Sequence, residues 1–421
     1  MRIYKMKKFL IFIFFFPFCN FVFTDAKAGT LSLDREIIED RKISFPDTDE
    51  FKVIVSDLHT HSIFSDGHVW PNIRVEEAQR DGLDLLAITE HLEYQPHMKF
   101  IPNVDRNDAF KEALVANDDK ELLIVNGAEI TRIPPVGHMN AIFIKDANSL
   151  FNDNESNIPI AKELLKQYPE AGSWEENDDV SNYYALTSVW PAEKAIDEAY
   201  SQGAFIFWNH SWWTPQSPQG VSVLTDFHKK LISENKLHGI EIVNGVNYSD
   251  EAFQIAIDND LTIIGTSDVH NLIDWDYSFY KGKHRPVTLI LSKDKTEKSI
   301  KEALFKRRTV VWFKNTLIGL KENLVPLLKS SLTLKSLGYE SGTFILKVEI
   351  ENKSDSKMMF KNISKYTLSQ NPNSFYVDAH SKKIIEVKTL EELREVKLIF
   401  KIQNAYIEPS KNPEVSFFVK I

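Results

Sequence analysis

The sequence predicts an α/β barrel that is followed by a smaller all-β domain. From about residue 53, short β-rich apolar runs alternate with amphipathic helical stretches, which is the pattern of parallel strands joined by helices. Seven such runs precede residue 270, close to the eight strands of a TIM barrel. From about residue 325 the chain changes to strands separated by polar turns, which favours a small β-sandwich.

Composition narrows the classes of protein that the chain can belong to. Its 421 residues suggest two domains, or one large barrel with an accessory module. With 60 acidic and 50 basic residues, the net charge of -10 argues against a protein that coats nucleic acid, but it leaves a small phosphorylated substrate open. A single cysteine excludes an internal disulfide framework. Composition leaves the oligomeric state open.

The first 28 residues have the pattern of a secretory signal peptide. Four basic residues among the first eight precede an apolar run over Phe9–Phe23, and Ala26-Lys27-Ala28 forms a small-x-small cleavage site. The apolar run is shorter than the roughly twenty residues that span a bilayer, although an uncleaved anchor is the alternative. We therefore expect cleavage after Ala28, a periplasmic or secreted protein without a transmembrane anchor, and an N-terminal extension over residues 29–52.

The barrel is predicted over residues 53–320, with residues 146–188 as an insertion or lid over one mouth, because Asn/Asp-rich patches there interrupt the rhythm of strands and helices. Beyond the seventh strand we expect a strand over Val287–Leu291, a helix over Thr296–Lys306 and a strand over Val310–Phe313. Helices in the barrel are predicted at Ile73–Asp81, Ala192–Gln202 and Asp250–Asn259. The seven strands are predicted at Val53–Val55, Leu83–Thr89, Leu122–Asn126, Met139–Ile144, Ala204–Trp208, Gly239–Val243 and Leu261–Thr266.

The C-terminal domain is predicted over residues 325–421. Its sequence does not distinguish carbohydrate binding, partner binding and structural support, and we take support as the default. Its strands are predicted at Thr343–Glu351, Ser374–Asp378, Ile384–Lys388, Glu395–Gln403 and Val415–Ile421.

Side chains that bind metals lie near one end of six of the seven predicted barrel strands. The carboxyl ends of barrel strands meet at one face, so residues far apart in sequence converge there. One isolated histidine would more often be structural, but a pocket of imidazoles and carboxylates needs cations to balance it. The candidate ligands are His59, His61, Asp66, His91, Glu129, His138, His210, Asp268 and His270.

The types of ligand indicate which metals fit. Histidines with carboxylates and no cysteine suit Zn, Mn or Fe. More than six ligands are too many for one ion, so we expect two or three divalent ions with a bridging carboxylate. Such sites generate a hydroxide nucleophile and hold both oxygens of a phosphoryl displacement.

These segments resemble the PHP (polymerase and histidinol phosphatase) family of metal-dependent phosphoesterases over about residues 54–313. Within it, the exported Sb-PDE-type phosphodiesterases are most similar, through Gly67-His68-Val69-Trp70-Pro71, Trp208-Asn209-His210 and the run from Arg307 to Phe313, and they also carry a β-rich C-terminal module. The family motifs in this chain are Asp57-Leu58-His59-Thr60-His61-Ser62, Ser65-Asp66-Gly67, Ile88-Thr89-Glu90-His91, Gly127-Ala128-Glu129-Ile130, Gly137-His138, Asn209-His210 and Ser267-Asp268-Val269-His270.

The resemblance implies a distorted (β/α)7 barrel with a trinuclear site. Glu129 and Asp268 would then be the catalytic carboxylates, with Glu129 bridging two ions. Glu90 stands where the family usually has Asp, at a position that is not normally a direct ligand. By motif, the first ion would be held by His59, His61 and Asp268, the second by His138 and His210, and the third by Asp66, His91 and His270.

Further residues near the motifs are weaker candidates. His68 could protonate the leaving alcohol, or it could be an ordinary surface residue. Arg132 and Arg285 could bind phosphate through two parallel hydrogen bonds, although a structural ion pair is the alternative for each. Trp212, with its neighbour Trp213 and with Trp275, could line the pocket, although aromatic residues more often serve packing.

The predicted function is therefore that of an exported phosphodiesterase that uses a metal-activated hydroxide. A phosphomonoesterase of the histidinol-phosphatase type would use the same metals in a closed pocket with more cationic residues. An amidohydrolase would need a strand-end lysine that the motifs do not offer. The non-catalytic alternative is an exported metal-binding or partner-binding protein.

Overall fold

The computed structural model describes residues 41–118, 121–167, 179–277 and 283–421. The predicted signal peptide, residues 29–40 of the predicted extension, and residues 168–178 of the predicted insertion lie outside these ranges. None of the helices in the described ranges combines the length and the apolar composition needed to cross a membrane.

Seven strands form the predicted barrel, in the neighbour order β1 to β6 followed by β8. Nearly every residue of these strands is buried, which explains why the sequence shows them as continuous apolar runs. The strands are β1 (Lys52–Asp57), β2 (Leu85–Ile88), β3 (Leu123–Ile130), β4 (Met139–Ile142), β5 (Phe205–Trp208), β6 (Gly239–Asn244) and β8 (Thr262–Thr266), with a two-residue strand β7 (Asn247–Tyr248) paired to β6.

One of the seven strands runs in the opposite direction to the others. Strands β1, β2 and β3 are parallel, as are β5, β6 and β8, but β4 is antiparallel to both β3 and β5. Residues 131–138 form too short a connection for a parallel return, which needs a crossover of about a dozen residues. Strand β4 therefore begins at the face where β3 ends, and this direction brings His138 to the same face as Glu129.

The barrel closes at this same face through the chain that follows β8. Thr60 and Val269 form an isolated parallel bridge. The Asp268 amide donates to the His59 carbonyl at 3.0 Å, and the His61 amide donates to the Val269 carbonyl at 3.1 Å. The segments after β1 and β8, which carry five of the candidate ligands, are thus tied to each other through the backbone.

Helices cover the outside of the barrel. The four predicted helices are present as α1, α5, α7 and α9, and the described part of the insertion contains the helices α3 and α4. The helices are α1 (Pro71–Asp81), α2 (Asp108–Ala116), α3 (Ile158–Gln167), α4 (Asp179–Ser188), α5 (Ala192–Ser201), α6 (Asp226–Ser233), α7 (Asp250–Asp258), α8 (Ile273–Asp276), α9 (Glu297–Phe305) and α10 (Lys321–Ser331), with 3-10 turns at Ala147–Leu150 and Glu155–Asn157.

Three further strands extend the sheet on the other side of β1. They are β9 (Val287–Ser292), β10 (Thr309–Phe313) and β11 (Thr316–Gly319), and each is antiparallel to its neighbour. Strand β10 packs so closely on β8 that a Cβ atom at Gly265 would lie 2.3 Å from Val311 Cγ1. Glycine at this position permits that contact, just before the segment of the chain that carries Asp268.

The C-terminal domain is the predicted β-sandwich. Its two antiparallel sheets have the orders β12-β13-β17-β15 and β16-β14-β18-β20. Alternate residues along most strands are buried, and the rings of Phe360, Phe375 and Phe400 pack with centroids 5.0 to 5.8 Å apart. The strands are β12 (Leu332–Tyr339), β13 (Ile345–Asn352), β14 (Met358–Asn362), β15 (Thr367–Leu368), β16 (Ser374–Val377), β17 (Lys382–Lys388), β18 (Glu395–Ile402), β19 (Ala405–Tyr406) and β20 (Glu414–Lys420).

The two domains share a sheet. Strand β19 leaves the sandwich and pairs in parallel with β11 of the barrel. Next to this pairing, Asn404 Nδ2 donates to the carbonyls of Asn315 and Lys357, both at 2.7 Å. The Asn315 side chain in turn accepts from the Lys357 amide at 2.7 Å. Backbone pairing and these amide contacts fix the sandwich to the barrel.

Candidate metal centre

The nine predicted ligands meet at one face of the barrel. Each of them has a ring nitrogen or carboxylate oxygen within 4.0 Å of such an atom in another member of the set. Most follow the carboxyl ends of parallel strands, which is where barrel geometry gathers side chains. His59 and His61 follow β1, Asp66 lies between β1 and α1, His91 follows β2, Glu129 lies in β3, His138 precedes β4, His210 follows β5, and Asp268 and His270 follow β8.

Glu129 lies at the centre of the set. Its Oε1 atom is 3.0 Å from His138 Nδ1 and 3.4 Å from His210 Nε2. Its side chain is fully buried, so both oxygens are directed at protein atoms or bound ions rather than at bulk water. The Oε2 atom faces His91 Nδ1 at 2.7 Å, His61 Nε2 at 3.4 Å and His59 Nε2 at 3.5 Å. The two oxygens therefore face different groups of imidazoles.

Two further groups lie on either side of His61. On one side, Asp268 Oδ1 is 3.1 Å from the Nε2 atoms of both His59 and His61. On the other side, Asp66 Oδ2 is 3.4 Å from His91 Nε2 and 3.2 Å from His270 Nε2. His61 Nδ1 also lies 3.6 Å from Asp66 Oδ1, so this imidazole touches both groups rather than one. Of the described residues, these groups and His91–Glu129–His138 have donor atoms close enough together to hold an ion.

The arrangement fits divalent cations on its own chemistry. Glu129 Oε2 and Asp268 Oδ1 are buried and accept no hydrogen bond, although imidazole nitrogens surround both atoms. A buried carboxylate oxygen without a partner is costly, and a cation placed between it and the imidazoles would remove that cost. Nitrogen and oxygen donors without sulfur suit Zn, Mn or Fe.

The electrostatics keep the carboxylates charged. Burial alone would raise the pKa of Glu129, but the neighbouring imidazoles of His91, His59 and His138 overcome this and hold the pKa well below its ordinary value. The pKa of Asp268 is lowered in the same way, with burial outweighed mainly by His59. Both carboxylates are therefore ionised and available to a cation near neutral pH.

The histidines of the centre divide by their surroundings. Burial, together with the nearby His270 and His91, lowers the pKa of His61 to about 3, so its imidazole is neutral. Burial opposes protonation of His59 as well, but Asp268 and the other carboxylates outweigh it and raise the pKa of His59 well above its ordinary value. Cation binding at His59 therefore competes with a proton.

A buried carboxylate that the sequence did not single out contacts two of the candidate ligands. Glu241 of β6 accepts from His59 Nδ1 at 2.8 Å and from Thr266 Oγ1 at 2.6 Å through Oε1. Its Oε2 accepts from the His210 amide at 2.7 Å and from Asn244 Nδ2 at 2.9 Å. The available signal was an acidic residue inside the apolar run that forms β6.

Two side-chain amides orient the carboxylates. Asn209 Nδ2 donates to Glu129 Oε1 at 2.8 Å, and Asn244 Nδ2 donates to Asp268 Oδ2 at 3.1 Å. Asn209 was part of a motif, but the sequence assigned it no separate role. Each amide satisfies one carboxylate oxygen and leaves the other directed at the imidazoles.

The side chain of Glu90 holds the loop that carries Asp66, and its backbone carbonyl accepts from the Glu129 amide at 2.9 Å. Its Oε2 accepts from the Ser62 amide at 3.0 Å and from Ser65 Oγ at 2.5 Å. The loop turns back so tightly that a Cβ atom at Gly67 would lie 2.8 Å from the backbone of His61 and Ser62. The longer Glu in place of Asp is thus accommodated in the loop.

The structure corrects the expectation that Arg132 binds phosphate. Its guanidinium is buried, with Nε 2.8 Å from Glu93 Oε1 and Nη1 donating to the carbonyls of Ser188 and Trp190. These contacts connect the end of β3 to the end of α4. Arg132 therefore connects the insertion to the barrel.

Arg285 is likewise corrected as a substrate-binding residue. Its side chain is only 1% exposed, and its Nη1 and Nη2 atoms pair with Asp57 at 3.1 Å and with Asp81 at 2.8 Å. Both of these aspartates are fully buried. The guanidinium lies inside the barrel wall, where a substrate has no access to it.

The remaining candidates lie at the rim. His68 is exposed, and its Nδ1 lies 2.7 Å from Asn271 Oδ1, beside the loop of His270. Trp212 is half-buried and packs on the hydrophobic core, and its role in lining the pocket stays a prediction. The neighbouring Trp213 instead contacts the rings of two candidate ligands.

Comparisons with known proteins give one similarity that extends over nearly the whole chain. A crystal structure from Bacteroides vulgatus, of a two-domain protein containing a predicted PHP-like metal-dependent phosphoesterase, is 32% identical. It has a TM-score of 0.75 and covers 91% of this chain and 99% of that chain. Residues 332–418 match the family described as DUF5001, an Ig-like domain.

Two other similarities are partial. An uncharacterised protein from Methanocaldococcus jannaschii is 33% identical over 79 residues, which are 19% of this chain and only 34% of that relative. The lesion-specific endonuclease from Pyrococcus furiosus is 18% identical, with a TM-score of 0.38, and covers 64% of this chain and 60% of that chain.

Proposed function

The chain belongs to the family of PHP-like metal-dependent phosphoesterases, and on that premise we propose that it hydrolyses small phosphodiesters at a trinuclear centre. The observation that carries the proposal is the placement of Glu129 among five imidazoles, with Asp66 and Asp268 on either side. Three groups of potential ligands in contact with one another support three ions.

Divalent ions bound in these groups would supply the Lewis acidity and the lowered pKa of water that the hydrolysis of a phosphate ester requires. The residues that would hold them divide into a first set around Asp268, a second set around Glu129 and a third set around Asp66. By motif, the first set is His59, His61 and Asp268, the second is Glu129, His138 and His210, and the third is Asp66, His91 and His270. In the structure, His91 rather than His210 lies close enough to complete the group around Glu129 and His138.

The side chains of the centre differ in their exposure, which indicates where a substrate enters. His59, His61 and Glu129 are fully buried. In contrast, 31% of the His270 side chain, 20% of the Asp66 side chain and 17% of the Asp268 side chain are exposed, and the first two of these belong to the third set. A phosphate group therefore approaches from the exposed side of His270, Asp66 and Asp268. The buried ligands line the bottom of the site.

Charge around the centre favours a diester over a monoester. A phosphomonoester carries a second negative charge, and a site for it gains from free arginine or lysine side chains. The two arginines that the sequence placed near the centre, Arg132 and Arg285, are both held in buried ion pairs. A singly charged phosphodiester needs less positive charge beyond that of the ions.

The test uses purified residues 29–421, stripped of metal and then reloaded with Mn or Zn. Hydrolysis of bis(p-nitrophenyl) phosphate is compared with hydrolysis of p-nitrophenyl phosphate. Metal-dependent turnover that strongly favours the diester is the expected result. Preference for the monoester would replace the proposal with a phosphatase, and no turnover of either ester by a chain that holds its ions would contradict both.

Matched variants connect that activity to the centre. His59→Ala combined with Glu129→Ala is expected to abolish turnover and leave the β-sandwich folded. Glu395→Gln, which changes an exposed carboxylate of the sandwich, is expected to retain full activity. Full activity in the double variant would mean that the residues of the centre are wrongly assigned.

We further propose that the enzyme is exported. The basic segment, the apolar run and the Ala26-Lys27-Ala28 site support this proposal. Fractionation of cells that express the full chain, followed by N-terminal sequencing, should give a protein outside the cytoplasm that starts at Gly29. Retention of the full-length chain in the cytoplasm would contradict export.

A further inference from the structure

An exposed indole ring lies beside the candidate ligands, and the centre itself does not use it. Trp213 is 45% exposed. Its ring centroid lies 5.5 Å from that of His138 and 5.3 Å from that of His210, both edge to face. The indole therefore borders the second group of ligands, with much of its surface still open to solvent.

Hydrogen bonds on both sides fix the backbone at Trp213. Its amide donates to the His210 carbonyl at 2.8 Å, and its carbonyl accepts from the amides of Gln216 and Ser217, both at 2.8 Å. The turn is also tied to a ligand, because Gln216 Nε2 lies 3.2 Å from His210 Nδ1. A ring held in this way loses little conformational freedom when a ligand packs on it.

A second aromatic ring borders His91, a ligand of the neighbouring third set. The ring of Tyr94 lies 5.8 Å from that of His91, edge to face, and 6.5 Å from that of Tyr184 on α4. The rings of His91 and His138 are themselves 5.7 Å apart. The imidazoles of His91 and His138 thus lie side by side, with Tyr94 next to the first and Trp213 next to the second.

We propose that Trp213 stacks on a planar aromatic ring of the substrate, so that the enzyme selects phosphoesters of ring-bearing alcohols, namely nucleosides or phenols. This inference rests on the proposed function for the position of the phosphate at the centre. An exposed large aromatic side chain next to a reactive centre commonly serves recognition. Arg132 and Arg285 are held in buried ion pairs, whereas the exposed ring of Trp213 offers a contact that distinguishes one organic group from another.

Stacking of a planar ring on an aromatic side chain changes affinity about tenfold or more. The test measures binding without turnover, by calorimetry of the full metal-loaded chain with phenylphosphonate and with methylphosphonate. Their carbon–phosphorus bonds are not phosphate esters, so the probes stay intact. The wild-type chain should bind phenylphosphonate about tenfold more tightly than methylphosphonate.

Variants assign this preference to the indole. Trp213→Ala should bind the two phosphonates about equally, Trp213→Phe should retain most of the preference, and Phe418→Ala, at an exposed ring of the sandwich, should leave it unchanged. All variants are compared at equal metal content, because Trp213 touches two ligands. A nucleoside 5′-phosphonate measured in parallel distinguishes the sources of the ring, since tighter binding than phenylphosphonate assigns nucleotide esters and weaker binding assigns aryl esters.

Equal affinity of the wild-type chain for the phenyl and methyl probes would overturn the inference, even in an active diesterase. A preference that survives in Trp213→Ala would also overturn it. A ring preference that depends on Trp213, in a chain that hydrolyses no ester, would uphold the inference and reject the proposed function.

Discussion

Glu241 Oε1 lies 2.8 Å from His59 Nδ1, and both side chains are fully buried. An ionised carboxylate can only accept, so Nδ1 carries the hydrogen and Nε2 is left to face Glu129 and Asp268. The same carboxylate accepts from the His210 amide. Glu241 in β6 therefore orients the ring of His59, which follows β1, and the backbone of His210, which follows β5.

Replacement of Glu241 by glutamine should weaken metal binding about 10- to 100-fold. All four neighbours of the carboxylate are donors, so the amide NH2 group must face a donor in either orientation. Competition with a chromophoric chelator measures the affinity. Thr266→Val removes one of the four bonds and should have a smaller effect. Unchanged affinity in Glu241→Gln would show that His59 is oriented by other contacts.

Removal of the metal should lower the thermal stability of the chain. Without a cation, the buried oxygens Glu129 Oε2 and Asp268 Oδ1 have no hydrogen-bond partner. An ion present at a hundred times its dissociation constant adds about 2.7 kcal/mol to the free energy of unfolding for each site. Calorimetry in EDTA and after reloading with Zn or Mn measures the difference. Superimposable melting curves would argue against ions in the folded state.

Arg285→Gln should destabilise the fold and leave substrate affinity alone. The substitution leaves the buried carboxylate of Asp57 without its cationic partner and removes one cationic partner of Asp81, which keeps its pairing with Arg41, at a cost of about 3–5 kcal/mol. Lys229, whose pairing with Asp226 is exposed, is the control, and Lys229→Gln should cost less than about 1 kcal/mol. Urea unfolding gives the stability, and initial rates give KM. A raised KM at normal stability would return Arg285 to the substrate site.

The stability of the chain should fall on acidification through His238. Its Nδ1 accepts from the Ile206 amide and its Nε2 donates to the Asn235 carbonyl, both at 3.0 Å, and burial lowers its pKa to about 4. In the unfolded chain the pKa is about 6.5. Between these values the unfolded state binds a proton that the folded state does not, so stability present above pH 6.5 is lost as the pH falls toward 4.

The slope in this window is up to about 1.4 kcal/mol per pH unit for one such proton. Urea unfolding of the wild-type chain and of His238→Gln at pH 7, 6 and 5 should show a steeper loss in the wild type. Parallel pH profiles would mean that His238 does not titrate in this range.

Much of the fold could be predicted because its signals are local. Each barrel strand is a short apolar run, and each overlaps a predicted strand. The direction of β4 was not predicted, since direction depends on the length of the connection and not on the strand itself. In the sandwich, β14 was missed because its buried residues, such as Met358 and Phe360, alternate with exposed ones in only five residues.

The site was predictable to the extent that its residues follow strands. The structure brings the nine candidate ligands together, because the ends of the barrel strands lie at one face. The arginines were misassigned because their partners, such as Glu93 and Asp81, lie on other segments of the chain. Glu241 was missed for the same reason. The sequence shows only one acidic residue within a strand, and the contact with His59 becomes visible in the structure.

The two residues of β19 also protect the barrel from self-association. An exposed edge strand presents unpaired backbone groups that can recruit a strand from another molecule, and very short edge strands suppress this. Because β19 covers β11, the sheet ends in two residues of its own chain. A shortened chain that stops before β12 would uncover β11 and the face of α10 that contacts β12 and β20, and the isolated barrel is expected to aggregate even with every metal ligand intact.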